Sequence, residues 1–369
     1  MTSQPTGGKT RVVILFGGRS AEHEVSLLSA RNVYFALDRS RFEPLLVGID
    51  KAGRWRRESE ATLHAATGDP RKVHLDAAAP IIDPGVLQPG DVVIPMLHGT
   101  YGEDGTIQGL LETAGVAYVG AGVLGSAIGM DKDIAKRLLR DAGIPIVDYQ
   151  LITAHEFRKD PDLCLRKGDD LGYPLFCKPA NAGSSIGVAR VARAPDLPAA
   201  LRAALGFDSK VLLERAVDAR EIECAVLGND EPEASVPGEI VLSHADGFYS
   251  YDAKYVDAAG ATFRVPAEVP LAASERVRAL SVATFRALEL SGMARVDFFL
   301  DRNSGVLWVN EVNTLPGFTA GSGYPKMWQA SGLPIGALVT RLFELAVERH
   351  ASRQALALSP SGNPKTHSI

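Results

Sequence analysis

Arg295-Val-Asp-Phe-Phe-Leu300 and Val306-Leu-Trp-Val-Asn-Glu-Val-Asn313 are two strand-like runs separated by Asp301 to Gly305, a segment rich in turn residues. The pattern predicts a β-hairpin. Folding it about residues 303 and 304 sets Asp297 opposite Glu311 or one place from it, and side-chain alternation puts Glu311 and Asn313 on one strand face. Two carboxylates and an amide then converge. They form a hard oxygen donor set suited to Mg²⁺, which takes few protein oxygens and leaves its other positions to phosphate and water. A polar hairpin end facing water is the alternative for any single Asp/Glu pair. Here, though, Asn310, Glu311 and Asn313 interrupt a strongly apolar strand and run into Thr314-Leu-Pro-Gly317, which favours a metal site.

Upstream, the strand Pro174 to Cys177 leads into Lys178-Pro-Ala-Asn-Ala-Gly-Ser-Ser-Ile-Gly187. Glycines let backbone N–H groups approach an anion, Ser184 and Ser185 add hydroxyls, and Lys178 adds a point charge. Alone, such a loop is more often a plain hairpin turn. It is not a Walker A loop, because G-x-x-x-x-G-K-[ST] does not occur in the chain. Gly17-Gly18 after the first strand lacks the third glycine of a dinucleotide fingerprint, which opposes a dehydrogenase.

Further out, apolar runs at Arg11 to Phe16, Leu45 to Ile49 and Val92 to Leu97 end in Gly, Asp or His loops. Between the first two, Leu27, Ala30, Tyr34 and Leu37 mark a helix, with Ser20 as a start signal. Strands alternating with helices predict a parallel, helix-flanked sheet over residues 1–120, with functional groups beyond the strands' carboxyl ends. A helix from Asp131 to Asp141, stopped by Gly143, opens a small α+β domain over 121–214 that includes an alanine-rich helix, Pro195 to Leu205. A third domain is expected over 215–369, with a helix from Ala272 to Leu290, a mobile flap at about 244–262 and a polar, disordered tail from Ser359. The fold class is thus α/β and α+β.

The 369 residues are 46% hydrophobic and 22% charged, with a net charge of -5 and no dense basic block, so neither nucleic acid nor an anionic membrane is the expected partner. No apolar run has the length of a membrane span, and no signal core follows the N-terminus. Three cysteines without CxxC spacing suggest neither a disulfide framework nor a zinc site, which fits a reducing cytoplasm.

Together these segments resemble the D-alanine:D-alanine ligases of the ATP-grasp superfamily. The matching pieces are Leu15 to Ser26, Leu97 to Gly109, Met130-Asp-Lys132, Phe176 to Gly187, Glu214 with Arg220-Glu-Ile-Glu-Cys224, Tyr251 to Tyr255, and Arg295 to Gly317, in family order from about residue 11 to 346. The resemblance implies a three-domain ATP-grasp fold, with ATP between the central and C-terminal domains. It puts Lys132, Lys178 and Ser185 at the phosphates, Glu214 at the adenine end and Glu221 at the ribose, with Lys254, Phe299 and Asn310 also on the nucleotide. Asp297, Glu311 and Asn313 would hold two Mg²⁺ ions bridged by Glu311, with Mn²⁺ as a substitute. In the family's reaction one D-alanine carboxylate attacks the γ-phosphate of ATP, and the amine of a second D-alanine attacks the acyl phosphate. The dipeptide is a precursor of peptidoglycan.

By the same resemblance Glu22, with Ser184 and Tyr255, anchors the first ammonium, Val25, Ser26 and His98 lie near that substrate, and Arg295 with the N–H of Gly317 faces the oxyanion. Ser322 and the amide of Gly323 take the second carboxylate. Each has a plainer alternative: a helix cap for Glu22, a structural histidine for His98, a salt bridge to Asp297 or Glu311 for Arg295, hydrophobic cover for Tyr255. Relatives that use D-lactate tend to lack that tyrosine, so Tyr255 favours D-alanine; D-lactate and D-serine ligases are the nearest rivals, and a regulatory nucleotide binder the most distant. The resemblance also implies a homodimer. Three positions depart from the family: Ala182 and Gly323 are smaller than usual, and Ala219 replaces a common glycine.

Overall fold

The computed structural model describes residues 8–242 and 261–356. Nearly all of the expected flap, including Lys254 and Tyr255, and the expected tail lie outside the described residues. The described strands form three sheets. The first comprises β1 (Thr10–Gly17), β2 (Phe42–Ile49), β3 (Trp55–Arg57), β4 (Ile81–Ile82), β5 (Val92–Met96) and β6 (Ala117–Tyr118), in the order β4-β3-β2-β1-β5-β6. β1 pairs in parallel with β2 and β5, and β5 with β6, while β3 and β4 add antiparallel strands at one edge. Val12 to Phe16 are wholly buried, as a strand covered on both faces must be.

The helix between β1 and β2 is His23–Ala36, and its expected stripe, Leu27, Ala30, Tyr34 and Leu37, is buried. Ser20 does not cap it. The Ser20 hydroxyl accepts from the N–H of Glu22 at 3.2 Å and donates to the carbonyl of His98 at 2.6 Å, tying two loops together instead.

The second sheet, β7 (Tyr149–Thr153), β8 (Leu175–Pro179), β9 (Ala189–Val191) and β10 (Lys210–Arg215), runs β7-β10-β8-β9 with antiparallel neighbours. The helix before it is Lys132–Asp141. Asp131 caps it by accepting from the N–H groups of Asp133 and Ile134, each at 3.1 Å, and Gly143 follows its end at φ 71°. The alanine-rich helix is shorter than the sequence suggests, Leu197–Ala204, because Pro198 is tolerated only in a first turn.

The third sheet is antiparallel: β11 (Ala219–Gly228), β12 (Glu233–Ala234), β13 (Gly238–Leu242), β14 (Ala261–Arg264), β15 (Gly292–Asp301) and β16 (Leu307–Asn313), in the order β14-β13-β11-β15-β16, with β12 on β11. Helix Leu271–Ala287 buries Val277 and Phe285 against Ile222, Val296 and Phe298. The last described helix, Ile335–Gln354, returns to the first sheet, where Leu338, Leu342 and Phe343 share a core with Val12, Ile14 and Phe42. The first and third sheets are thereby joined through one hydrophobic core, which fixes the loops between them. Among the described residues no single helix is long and apolar enough to cross a membrane.

Candidate active site

The hairpin expected from Arg295 to Asn313 is β15–β16. Asp297 pairs directly with Glu311, and Arg295 with Asn313. Between Asp297 and Phe298 the register shifts by one, so Asn310 is the extra residue of a β-bulge. Strict alternation would send Asn310 and Glu311 to opposite faces. The bulge resets the phase, leaving Val309 and Val312 in the core while Asn310, Glu311 and Asn313 stay partly exposed.

Arg295 lies at the centre of this surface. Its Nε and Nη2 donate to the two oxygens of Asp297 at 2.7 and 2.6 Å, and Nε lies 3.3 Å from Glu223. Burial works against the guanidinium charge, but Asp297 and Glu223 outweigh it, so Arg295 stays a fixed cation. The salt-bridge alternative for Arg295 therefore holds, and it orients the group without removing its outer N–H donors. Lys132 lies 3.2 Å from Glu311 and donates to the carbonyl of Ala182 at 2.8 Å, bringing the Gly/Ser loop to the hairpin.

That loop carries Ser184 and Ser185 at φ 51° and 58°, left-handed conformations that cost side chains of this kind about 1–3 kcal/mol each. The strained turn aims the Ser184 hydroxyl at the carboxylate of Glu22, with which it is hydrogen-bonded. Glu22 makes no side-chain cap on its helix, so the capping alternative falls.

The loop from Thr314 to Phe318 is pinned from the first sheet. His98 is buried, and burial pushes its pKa down, so the ring is neutral. A consistent proton arrangement follows: Nδ1–H donates to the carbonyl of Leu315 at 3.0 Å, and Nε2 accepts from Ser29 at 2.9 Å, which itself accepts from the N–H of Phe318 at 3.1 Å. His98 is thus a positioning group, although it also borders the cavity. Gly317 lies inside this brace, and a Cβ there would come within 2.9 Å of Ser322 Oγ. Ser322 precedes helix Gly323–Ala330, whose first amides have no intrahelical partner and point toward an anion site.

One cavity of about 570 Å³ collects Glu22, Val25, His98, Lys132, Ser184, Arg295, Glu311, Asn313, Gly317, Ser322 and Gly323 from the expected set. Ser26 does not line it. The residue is fully buried, its hydroxyl accepting from Gly17 N–H at 2.7 Å and donating to the carbonyl of Met96, so it holds the β1 turn rather than a substrate. Lys178, Glu214, Glu221, Phe299 and Asn310 form an adjoining group outside that cavity. Lys178 is ion-paired with Glu214, lies 3.4 Å from Asn310, and sits over the rings of Phe176 and Phe299 at 5.7 and 5.5 Å. Glu221 pairs across the strands with Phe299, and Ser185 stays in the loop beside Ser184.

Three charged residues that the sequence did not single out are packed around these groups. Glu223 pairs across the strands with Asp297 and approaches the same Nε of Arg295, and its signal was the alternation of Glu221 and Glu223 on β11. Lys136, one helical turn beyond Lys132, is 2% exposed and lies 2.7 Å from Glu214, itself 1% exposed. Burial pushes Glu214 up, yet Lys136 and Lys178 outweigh it and hold the carboxyl below its usual range. Lys136→Met leaves Glu214 Oε2 buried without its partner while Lys178 still balances the charge, so it is expected to cost about 1–3 kcal/mol in urea unfolding. Glu103 is the third. It accepts from the N–H of Gly99 at 2.6 Å and of Leu315 at 3.1 Å, and burial, reinforced by nearby Glu22, raises its pKa to about 8. The folded state keeps this proton between about pH 4.5 and 8 whereas the unfolded chain has lost it, so its contribution to stability falls as pH rises through that window. Glu103→Gln should remove this slope, read by comparing thermal unfolding of both proteins across the same pH range.

The residues fit a divalent cation: Asp297 and Glu311 face each other across the hairpin with Asn313 on the same side, all oxygen donors, and Arg295 and Lys132 now balance the two carboxylates. They also fit a triphosphate, through Lys132, Lys178 and the strained loop.

Residues 11–121 match the family model for the D-ala D-ala ligase N-terminus and 138–344 that for the C-terminus. The chain is 50% identical to D-alanine–D-alanine ligase A of Chromobacterium violaceum, over 95% of this chain and 99% of the relative. Among solved structures, the D-alanine-D-alanine ligase from Coxiella burnetii superposes with a TM-score of 0.78 at 35% identity, covering 94% of this chain and 96% of that one. The VanG D-Ala:D-Ser ligase from Enterococcus faecalis gives 0.77 at 33%, covering 92% and 100%. The chain belongs to the D-alanine–D-alanine ligase family.

Proposed function

We propose that this cavity joins two D-alanine molecules by way of an acyl phosphate, the step that supplies a peptidoglycan precursor. The activity is that of a D-alanine–D-alanine ligase using ATP and Mg²⁺. The observation that supports the assignment of residues is that one cavity collects Glu22 with Ser184, Arg295, Gly317, Ser322 at a helix N-terminus, and Lys132 beside Glu311.

In this reading Glu22 holds the first ammonium and leaves that substrate's carboxylate facing Glu311. The carboxylate oxygen attacks the γ-phosphorus and ADP departs. Lys132 and Lys178 offset the phosphate charge, and bound Mg²⁺, held by Asp297, Glu311 and Asn313, supplies further charge neutralisation. Asp297, Glu311 and Asn313 would hold two such ions, and Mn²⁺ would substitute for Mg²⁺ there. Ser322 and the Gly323 amide hold the second carboxylate, and its amine, having lost a proton, attacks the acyl carbon. Arg295 and Gly317 N–H receive the charge that develops on oxygen, and phosphate leaves as the tetrahedral species collapses. Lys254 and Tyr255 are assigned to the cover of the site, which excludes water from the acyl phosphate. The division at residues 120 and 214, a homodimer and a cytoplasmic location complete the proposal.

The test is ADP release with ATP and Mg²⁺ on addition of D-alanine, L-alanine, or D-alanine with D-lactate or D-serine, with products identified by mass. D-alanine alone is expected to suffice, giving its dipeptide. A mixed product that dominates over that dipeptide would move the assignment to another acceptor.

A further inference from the structure

The small residue at 323 leaves room at the acceptor end of the cavity, and another side chain takes it. A Cβ on Gly323 would come within 2.6 Å of Glu223 Oε2, 2.8 Å of Phe263 Cζ and 3.0 Å of Phe263 Cε2, so the carboxylate and the ring share that space. A Cβ on Gly238 would lie only 2.2 Å from the same Cζ. The two glycines belong to separate elements, a helix N-terminus and β13, so the ring of Phe263 is seated in a slot that both leave open. Phe263 is on β14, paired directly with Ile240, and Gly238 lies on the same strand face as Ile240, two residues away. One side of the ring packs against the core that includes Tyr324 and Met327, and the other borders the cavity together with Ile240, Ser322 and Gly323.

We infer that Phe263 determines acceptor specificity: wedged between Gly238 and Gly323, it forms the wall beside Ser322 that limits the side chain of the second amino acid to a methyl group. This rests on the reading that Ser322 and the Gly323 amide take the acceptor carboxylate. With that carboxylate on the helix N-terminus, the acceptor α-carbon lies beside residue 323, and its substituent faces the nearest wall. A phenyl ring has few rotamers and little freedom to withdraw, so it excludes bulk more sharply than a flexible aliphatic chain of equal reach. The apparent gap left by Gly323 is therefore not extra room for substrate. The Glu223 carboxylate and a rigid ring from a neighbouring strand occupy it.

The experiment measures kcat/KM for D-alanine and D-norvaline as acceptors, with D-alanine as donor, in the full-length protein with ATP and Mg²⁺, and identifies the residue order of each dipeptide by fragmentation. One methylene in an apolar pocket changes such ratios by roughly 10–200-fold. Phe263→Ala is expected to raise the D-norvaline to D-alanine ratio at least about tenfold and leave the KM for ATP unchanged. The product should be D-alanyl-D-norvaline. Phe263→Leu should move the ratio the same way by less, and it carries the test if the alanine variant fails to fold. Adding Gly323→Met to Phe263→Ala should close the slot and lower the ratio again. An unchanged ratio in a folded Phe263 variant overturns the inference, as does D-norvaline appearing in the donor position. Failure of the unsubstituted protein to make the D-alanine dipeptide would instead overturn the underlying reading, so the two failures are distinct.

Discussion

Glu311→Gln is expected to leave a folded protein whose turnover is at least about a thousandfold slower. Glu311 stands opposite Asp297, faces Lys132 at 3.2 Å, and lines the same cavity as Glu22 and Arg295. The substitution removes one negative charge from the metal set and almost no volume. A bound cation contributes several kcal/mol of charge stabilisation to phosphoryl transfer, and each 1.36 kcal/mol is a factor of ten in rate. Stability should change little, because the Glu311 side chain is 33% exposed and its loss leaves Lys132 with the Ala182 carbonyl. Single-turnover rates at several Mg²⁺ concentrations, beside thermal unfolding, check this. Turnover within tenfold of the unsubstituted enzyme in a folded variant would remove Glu311 from the metal set.

Arg295→Lys should lower kcat by about 10²–10³, the effect of losing one oxyanion donor worth about 2.7–4 kcal/mol. Lysine keeps the charge and loses the fork: one ammonium cannot bond both oxygens of Asp297, approach Glu223 and still present a directed N–H to the reacting centre. The fall should appear in kcat more than in KM for either D-alanine, since the donor acts on charge that develops after binding. Steady-state kinetics with both subsites varied read this directly. A rise in KM with kcat unchanged would make Arg295 a binding group instead. Arg295→Met makes a different prediction, because Asp297 and Glu223 are then left facing one another, and a loss of about 3–5 kcal/mol in stability should accompany inactivity.

The hairpin was legible because its information is local. Alternation between Arg295 and Leu300, and between Val306 and Asn313, predicted the pairing, and Asp297 does stand opposite Glu311. The bulge was not legible, since whether Asn310 is squeezed out of register depends on which valines the third sheet's core accepts. Segments whose order is set by periodicity behaved likewise: the stripe of His23–Ala36 is buried, but its start is governed by a tertiary contact from Ser20 to His98 that no local pattern encodes. Ser26 sits inside a motif that the resemblance ties to substrate, and only the three-dimensional contacts with Gly17 and Met96 show it committed to the scaffold.

Charge told less in sequence than in space. Lys136 looks like any helix lysine until the fold buries it beside Glu214, and Glu103 looks like a loop acid until Leu315, more than two hundred residues away, donates to it. Phe263 is the extreme case. Its significance depends on two glycines from other elements, one of which reads from sequence alone as a loosened subsite.

The central claim is that the donor carboxylate itself becomes phosphorylated before the peptide bond forms. D-alanine labelled with ¹⁸O in its carboxylate, turned over with unlabelled ATP, tests it in one mass spectrum of the released phosphate. Each phosphate is expected to carry one labelled oxygen, the bridging atom of the acyl phosphate, left behind when the acceptor amine takes the acyl carbon. Unlabelled phosphate, with both labelled oxygens of the spent carboxylate accounted for elsewhere, would contradict it.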